Sequence, residues 1–151
     1  MNNLFLVRGL PGSGKTTLAS TLAEWNGEKL FMYAADDYFY SDGVYNFNPS
    51  KLPAAHAWCL ERCDDAMKDG ASRIAIHNTF VCRWEMEAYF RLADAHGYRV
   101  TVVSVFDGGL TDLELFVRNT HGVPLDAITR MRKNYEHDWR QGNPLPPWEH
   151  K

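Results

Sequence analysis

Residues 9–16, with the sequence GLPGSGKT, have the pattern of a phosphate-binding loop, GxxxxGK(S/T). The glycines let backbone N–H groups converge on the β- and γ-phosphates of a nucleotide, and a following helix adds the positive end of its dipole. Lys15 supplies a point charge, and the Thr16 hydroxyl is placed to coordinate Mg²⁺. The residues that we assign to ATP binding in this segment are Gly9, Pro11, Gly12, Ser13, Gly14, Lys15, Thr16 and Thr17.

Two adjacent carboxylates, Asp36 and Asp37, follow the second predicted strand. The carboxyl ends of parallel strands face one crevice, so this pair should lie near the phosphates. One carboxylate could accept the proton of an attacking hydroxyl. Because neighbouring side chains point in different directions, only one of the two can be that base, while the other caps the chain or binds solvent. The structural alternative is an exposed acidic pair that begins a loop.

A lid is predicted over residues 110–124, where a helix, a glycine break and a second helix follow one another. Arg118 is the candidate lid arginine, because an arginine reaching across the site can stabilise charge on the transferred phosphoryl group. An arginine at a helix end that interacts with the helix dipole is an equally good interpretation of the spacing.

Alternating strands and helices must position these residues. Strands are predicted at Leu4–Val7, Leu30–Ala34, Arg73–Ile76 and Arg99–Phe106, and helices at Lys15–Glu24, Ala54–Lys68, Trp84–His96 and Thr111–Asn119, with a last helix from Pro124. This order predicts an α/β protein with the three-layer P-loop NTPase fold: a parallel sheet of about four to five strands, helices on both faces and a C-terminal helical lid. We expect one kinase domain over residues 1–140 and an extended tail over residues 141–151, beginning near Asn143.

The long predicted loop from Asp36 to Pro53 is more typical of a functional segment than of a simple connection. Its aromatic residues could stack on a nucleobase or pack the loop onto the domain; they are Phe39, Tyr40, Tyr45 and Phe47. Arg8 or Arg83 could meet a phosphate. A basic rim near the lid is a further possibility, with solvated side chains as the alternative; its members would be Arg130, Arg132 and Lys133.

Composition and charge indicate which binding partners and which cellular compartment to expect. A net charge of −3 and a pI near 6.0 give no overall attraction to nucleic acid, so such a contact would need a local patch. No leader or membrane-spanning pattern is visible, and we expect a cytoplasmic protein without a membrane partner. The chain has three cysteines without CxxC pairs, and Cys59 and Cys63 are expected to be buried, reduced thiols.

Taken together, the motifs resemble those of a known family. They are GLPGSGKTT, ADDYF, YNFNPSKLPAAHAWC, HNTF followed by WEMEAYFRLA, and RNTHGVPLDAITRM. In this order they are similar to the P-loop kinases related to the kinase domain of bacteriophage 5′-polynucleotide kinase and to NEDD-binding-protein-type P-loop proteins. The resemblance covers nearly the whole chain, and only the first motif is generic.

The resemblance implies residue roles. The first aspartate of the DDY segment is the general base for the 5′-hydroxyl in that family, which implies this role for Asp36; its lid arginine contacts donor phosphates, which implies that role for Arg118. We also name Asp36, with Thr16, as a candidate Mg²⁺ ligand. The chain departs from the family at Phe39, where the phage kinase has an arginine for the acceptor phosphate, and at His77, where an acid is usual.

The sequence thus predicts an ATP- and Mg²⁺-dependent phosphotransferase with Asp36, Lys15 and Arg118 as catalytic residues. The expected acceptor is the 5′-hydroxyl of a nucleic acid. A small acceptor such as a nucleoside, nucleotide, sugar or antibiotic is the alternative, and a non-catalytic ATP-binding regulator is the third reading. His77 is left open between a structural and a functional histidine.

Overall fold

Four parallel strands form the central sheet of the computed structural model, which describes residues 1–24 and 31–136. The strands are β1 (Asn3–Arg8), β2 (Met32–Tyr33), β3 (Tyr40–Ser41), β4 (Val44–Tyr45), β5 (Arg73–His77) and β6 (Arg99–Ser104). The helices are α1 (Lys15–Ala23), α2 (Leu52–Lys68), α3 (Glu87–His96), α4 (Asp112–Arg118) and α5 (Leu125–Asn134). The order β2-β5-β1-β6 places β1 inside the sheet, and β3 and β4 form a separate antiparallel hairpin.

Side chains of β1 alternate between two apolar layers, as the period of a strand requires. Leu4 and Leu6 are fully buried on the face that packs against α2 and α3, together with Ile74 and Ile76 of β5. Val7, the residue after Leu6, lies on the opposite face, in a cluster with alanines of α1. Helices therefore cover both faces of the sheet, and the predicted three-layer α/β fold is confirmed.

A third apolar cluster joins the end of β1 to the C-terminal helices. Leu10, Leu115 and Ile128 are buried together, and they belong to the loop after β1, to α4 and to α5. This cluster holds α4 directly beside the residues that follow β1. The position of α4 is therefore determined by the fold and not only by its chain connections.

Several predicted boundaries are wrong. The second strand is only Met32–Tyr33, because Ala34 is already the N-cap of a 3-10 helix over Ala35–Phe39, and Leu30 lies outside the described residues. The helix predicted from Trp84 begins at Glu87 after a 3-10 turn. The fourth sheet strand ends at Ser104, short of Phe106.

The segment from Asp36 to Pro53 is structured, although its sequence predicts a loop. It contains the end of the first 3-10 helix, the β3–β4 hairpin, a second 3-10 turn at Pro49–Lys51 and the first residues of α2. Cys59 and Cys63 are buried free thiols, as predicted. The predicted tail over residues 141–151, its start near Asn143 and the domain boundary at residue 140 lie outside the described residues.

Within residues 1–24 and 31–136, no helix is long and apolar enough to span a bilayer.

Candidate nucleotide and acceptor site

Residues 9–16, the P-loop, connect the carboxyl end of β1 to the N-terminus of α1. Gly12 and Gly14 have φ of +80° and +100°, which only glycine adopts without strain. A Cβ on Gly12 would lie 2.5 Å from the carbonyl oxygen of Leu115, whereas a Cβ on Gly14 would meet nothing within 4 Å. Gly14 is the N-cap of α1, and no described side chain caps it. The first turn of α1 therefore offers N–H groups and open space to an anion.

Lys15 is turned back onto its own loop. Its Nζ donates to the carbonyl of Leu10 at 3.0 Å. Burial lowers the pKa of Lys15 to about 8, while the charge of Asp36 acts in the opposite direction. The ammonium group is therefore held against the P-loop.

Thr16 and His77 meet where β5 ends beside α1. Thr16 Oγ1 and His77 Nδ1 are 3.4 Å apart. Burial lowers the pKa of His77 to about 4, and repulsion from Lys15 acts in the same direction. The imidazole is consequently neutral at pH 7 and can exchange a hydrogen bond with Thr16 but cannot act as a cation there.

The oxygen atoms of Thr16 and Asp36 suit Mg²⁺, which prefers hard oxygen ligands and keeps several waters and substrate phosphates in its coordination sphere. Within the described ranges there is no group of three or more His, Cys, Asp or Glu residues that could form an all-protein cage. A site with few protein ligands is the type that a nucleotide-bound Mg²⁺ uses. The donor set therefore fits this ion.

Asp36 and Asp37 have different surroundings within the 3-10 helix. Asp37 Oδ2 accepts the N–H of Ala34 at 2.9 Å, and burial raises the pKa of Asp37. The Asp36 side chain is 40% exposed; its Oδ1 accepts the hydroxyl of Tyr45 at 3.2 Å, and its Oδ2 lies 3.4 Å from Nδ1 of His121. Asp37 thus caps the helix, whereas the part-exposed Asp36 carboxylate is held by Tyr45 and His121.

Asn78 fixes the position of this helix against the sheet. Its Oδ1 accepts the N–H of Ala35 at 2.8 Å, and its own N–H donates to the carbonyl of Val7 at 3.2 Å. The ends of β1 and β5 and the start of the helix carrying Asp36 are therefore tied together. This is a physical reason for an asparagine directly after β5.

His121 contacts Asp36, although the sequence pattern predicts no role for this histidine. The loop that carries it is shaped by Asn119, whose Oδ1 accepts the His121 N–H at 2.9 Å and whose Nδ2 donates to the carbonyl of Val123 at 3.3 Å. The contact with Asp36 joins distant parts of the chain. A histidine after Asn119 carries no local signal for such a contact.

Arg118 is the last residue of α4 and is exposed. It makes no hydrogen bond or ion pair with the described part of the chain. Leu115, three residues earlier, has its carbonyl beside Gly12, and residues three apart lie on the same side of a helix. The assignment of Arg118 to the donor phosphates stays a prediction. The roles assigned to Lys15, Thr16, Thr17 and Asp36 also stay predictions.

Two sequence-based suggestions for ligand contacts are wrong because the side chains are buried. Arg8 is fully buried, and its guanidinium donates to the carbonyl of Phe80 at 3.0 and 2.6 Å and lies 4.4 Å from the ring of Tyr135. It anchors the segment after β5 and does not face a phosphate. Phe39 is only 5% exposed and belongs to the core, so it cannot stack on a nucleobase.

The three residues suggested as a basic rim have different surroundings. Arg132 donates to Asp112 at 2.6 Å, to Asp107 at 2.8 Å and to the carbonyl of Leu110 at 3.0 Å, so it is a structural clamp between α5 and the segment before α4. Arg130 and Lys133 are exposed. Arg83 is also exposed, and its backbone N–H donates to Glu136 at 2.7 Å.

These features define a P-loop protein with a kinase-like fold. They are a parallel sheet covered by helices, the GxxxxGK(S/T) loop after an inner strand, and two helices packed beside that loop. Residues 4–137 match the model of a family described as an AAA domain, and the chain belongs to this family. Human NEDD4-binding protein 2 is 41% identical over 134 residues, which are 88% of this chain and 8% of that protein. The predicted relationship to NEDD-binding-protein-type P-loop proteins is therefore confirmed.

More distant similarities agree on the fold. The mouse 2′,3′-cyclic-nucleotide 3′-phosphodiesterase is 27% identical over 141 residues, covering 90% of this chain and 32% of that protein. A presumed kinase from Chloroflexus aurantiacus has a TM-score of 0.64 at 17% identity, over 89% of this chain and 80% of that one. A gluconokinase from Sinorhizobium meliloti has a TM-score of 0.55 at 14% identity, over 89% of this chain and 75% of that one. The chain spans about a third or less of the length of both curated relatives.

Proposed function

We propose that the protein is an ATP- and Mg²⁺-dependent kinase that transfers the γ-phosphate of ATP to the 5′-hydroxyl of a nucleic acid. One observation carries this proposal: the Asp36 carboxylate lies at the end of β5 where the P-loop threonine lies. Thr16 contacts His77, and Asn78, the next residue, accepts the N–H of Ala35 directly before Asp36. A base on the acceptor side and a phosphate-binding cation on the donor side therefore share one crevice.

On the donor side, the N–H groups at the start of α1 and the Lys15 ammonium would hold the phosphates. Thr16 would hold Mg²⁺, and the Asp36 carboxylate is assigned to the acceptor hydroxyl. This ion supplies neutralisation of the negative charge that develops as the γ-phosphoryl group is transferred. Arg118, one turn beyond the contact between Leu115 and Gly12, would stabilise the same charge.

On the acceptor side, Asp36 takes the proton of the attacking hydroxyl. The hydroxyl oxygen bonds to the γ-phosphorus as the bond from that phosphorus to the bridging oxygen breaks, and ADP leaves with that oxygen. Hydrogen bonding to Tyr45 fixes the orientation of the Asp36 carboxylate. Asp37 cannot replace Asp36, because its carboxylate caps the 3-10 helix.

A nucleic-acid acceptor is supported by the order of the motifs, by exposed aromatic rings close to Asp36 and by the substrate in the name of one relative, a cyclic-nucleotide phosphodiesterase. A small-molecule acceptor is the second candidate. It is favoured by the net charge of −3 and by Phe39, which stands in the core where the phage kinase has an arginine for the acceptor phosphate.

The test is transfer of labelled γ-phosphate from ATP with Mg²⁺ to 5′-hydroxyl DNA and RNA oligonucleotides, beside a panel of nucleosides, nucleotides and sugars. Asp36→Asn should abolish labelling. Asp42→Asn is the matched control, because Asp42 is an exposed carboxylate in the turn of the β3–β4 hairpin and makes no side-chain hydrogen bond or ion pair with the described residues. Asp36-dependent labelling of oligonucleotides is the expected result. Labelling of a small molecule alone would overturn the nucleic-acid assignment, and no labelling with ATP still bound would favour a regulator.

A further inference from the structure

Three rings form a cluster beside Asp36, of which the proposed transfer step uses only Tyr45. Tyr40 and Tyr45 face each other across the β3–β4 hairpin with ring centroids 5.1 Å apart. His121 lies 5.2 Å from the Tyr45 ring and 6.3 Å from the Tyr40 ring. We call these three residues the aromatic cluster. It continues directly from the candidate base, since both Tyr45 and His121 contact the Asp36 carboxylate.

The three members of the aromatic cluster differ in their exposure and in their hydrogen bonds. Tyr45 and His121 are half-buried and are engaged with Asp36. Tyr40 is 45% exposed, and its hydroxyl has no hydrogen bond to residues 1–24 or 31–136. A large ring is therefore displayed at the edge of the crevice, within two side chains of the carboxylate.

The support beneath Tyr40 is preorganised. The hairpin turns through Asp42 and Gly43 at φ of +52° and +79°, a pair of left-handed residues that suits a tight two-residue connection. Asn46 extends the hairpin by donating its N–H to the carbonyl of Phe39 at 2.9 Å, and the Phe39 side chain is fixed in the core. A ring on such a support loses little freedom when it binds a flat partner.

The charge around this ring selects the kind of partner. The carboxylates of Asp36 and Asp37, which precede Tyr40 in the chain, oppose recognition of an acceptor through its phosphates. A nucleobase, in contrast, is neutral and presents a π-face to any aromatic ring. Stacking is therefore the interaction that this part of the crevice can offer to a nucleic-acid end.

We propose that Tyr40 is the stacking platform for the first nucleobase of a single-stranded acceptor, while the 5′-hydroxyl of the same nucleotide lies at Asp36. The inference rests on the proposed function and specifies its substrate class. Recognition through a π-face tolerates all four bases, so the acceptor is selected as an unpaired end and not by its sequence. A base held in a duplex has its faces covered and would not bind in this way.

Equilibrium binding of a fluorescent 5′-hydroxyl DNA oligonucleotide tests this inference without requiring transfer. Tyr40→Ala should weaken binding about 5- to 150-fold, the range of one base–aromatic stack. Tyr40→Phe should bind as the wild type does, and Tyr40→Leu should resemble alanine although it keeps an apolar side chain on the hairpin. Tyr38→Ala is the matched control, because Tyr38 is 37% exposed but packs against Trp58.

The same oligonucleotide without its first base provides the second arm. Wild type should bind it as weakly as Tyr40→Ala binds the complete strand, and Tyr40→Ala should lose nothing further. Two results would overturn the inference. One is that Tyr38→Ala and Tyr40→Ala weaken binding equally, and the other is that Tyr40→Ala weakens binding of the abasic strand as much as binding of the complete strand. Tyr40-dependent binding without phosphate transfer would support the inference and refute the kinase proposal, so the two failures are distinguishable.

Discussion

Replacing Gly12 by alanine should disturb the contact between the P-loop and α4. Gly12 has φ of +80°, and a Cβ there would lie 2.5 Å from the carbonyl oxygen and 3.3 Å from the Cα of Leu115. Both neighbours are backbone atoms of a helix, so they cannot rotate away. The substitution must therefore strain the P-loop, displace α4 or do both.

Gly14→Ala separates the steric contribution from the conformational one. Gly14 has φ of +100°, but a Cβ there would meet nothing within 4 Å. Left-handed strain alone costs about 1–2 kcal/mol, and this is the expected loss for Gly14→Ala. Overpacking adds about 1–3 kcal/mol at Gly12, so Gly12→Ala should lower the free energy of unfolding by about 2–5 kcal/mol.

Thermal and urea unfolding without nucleotide would measure both variants. For a chain of this size, about 2–4 °C of Tm is lost per kcal/mol, so Gly12→Ala should melt about 2–12 °C below Gly14→Ala. Equal stabilities would refute the reasoning, because they would mean that α4 does not press on Gly12. A larger loss for Gly14→Ala would refute it equally.

Three further predictions follow from individual contacts. Because burial lowers the pKa of Lys15 to about 8, kcat/KM for ATP should fall as the pH rises through this value and the ammonium is lost. Lys15→Arg should lack this fall. A wild-type pH profile that stays flat to pH 10 would contradict the prediction. Arg118→Gln should lower kcat about 10²–10³-fold without changing the unfolding midpoint, which steady-state kinetics and melting would check. Arg132→Met should cost about 1–3 kcal/mol in urea unfolding, because it leaves the buried Asp107 without its partner. The Arg132 hydrogen bond lowers the pKa of Asp112, so the part of the loss that comes from the Arg132–Asp112 pair should shrink as the pH falls from about 4 through the lowered pKa of Asp112.

The parts of the fold that were predictable depend on local patterns. The short apolar runs of β1, β5 and β6 and the glycine loop after β1 each contain their own signal, and together they predict a parallel sheet with helices on both faces. The β3–β4 hairpin was less visible, although Asp42-Gly43 marks its turn, because each of its strands is only two residues long.

The site was predictable only where one segment carries it. The P-loop is continuous, and adjacency alone suggested that Asp36 and Asp37 would differ. By contrast, the contact of His121 with Asp36 depends on how distant segments meet. The suggestion that Arg8 binds a phosphate was wrong for the same reason. An arginine at the end of a strand gives no sign that its guanidinium will be buried and will donate to two backbone carbonyls.

The most direct test of the central claim is the single-turnover rate of γ-phosphate transfer from ATP to a 5′-hydroxyl oligonucleotide, measured for the wild type and for Asp36→Asn with ATP prebound at saturation. If Asp36 is the base, the rate in the variant should fall about 10²–10⁴-fold while the dissociation constant for ATP stays within about threefold. An unchanged transfer rate in Asp36→Asn, or a loss that merely follows weakened ATP binding, would contradict the account.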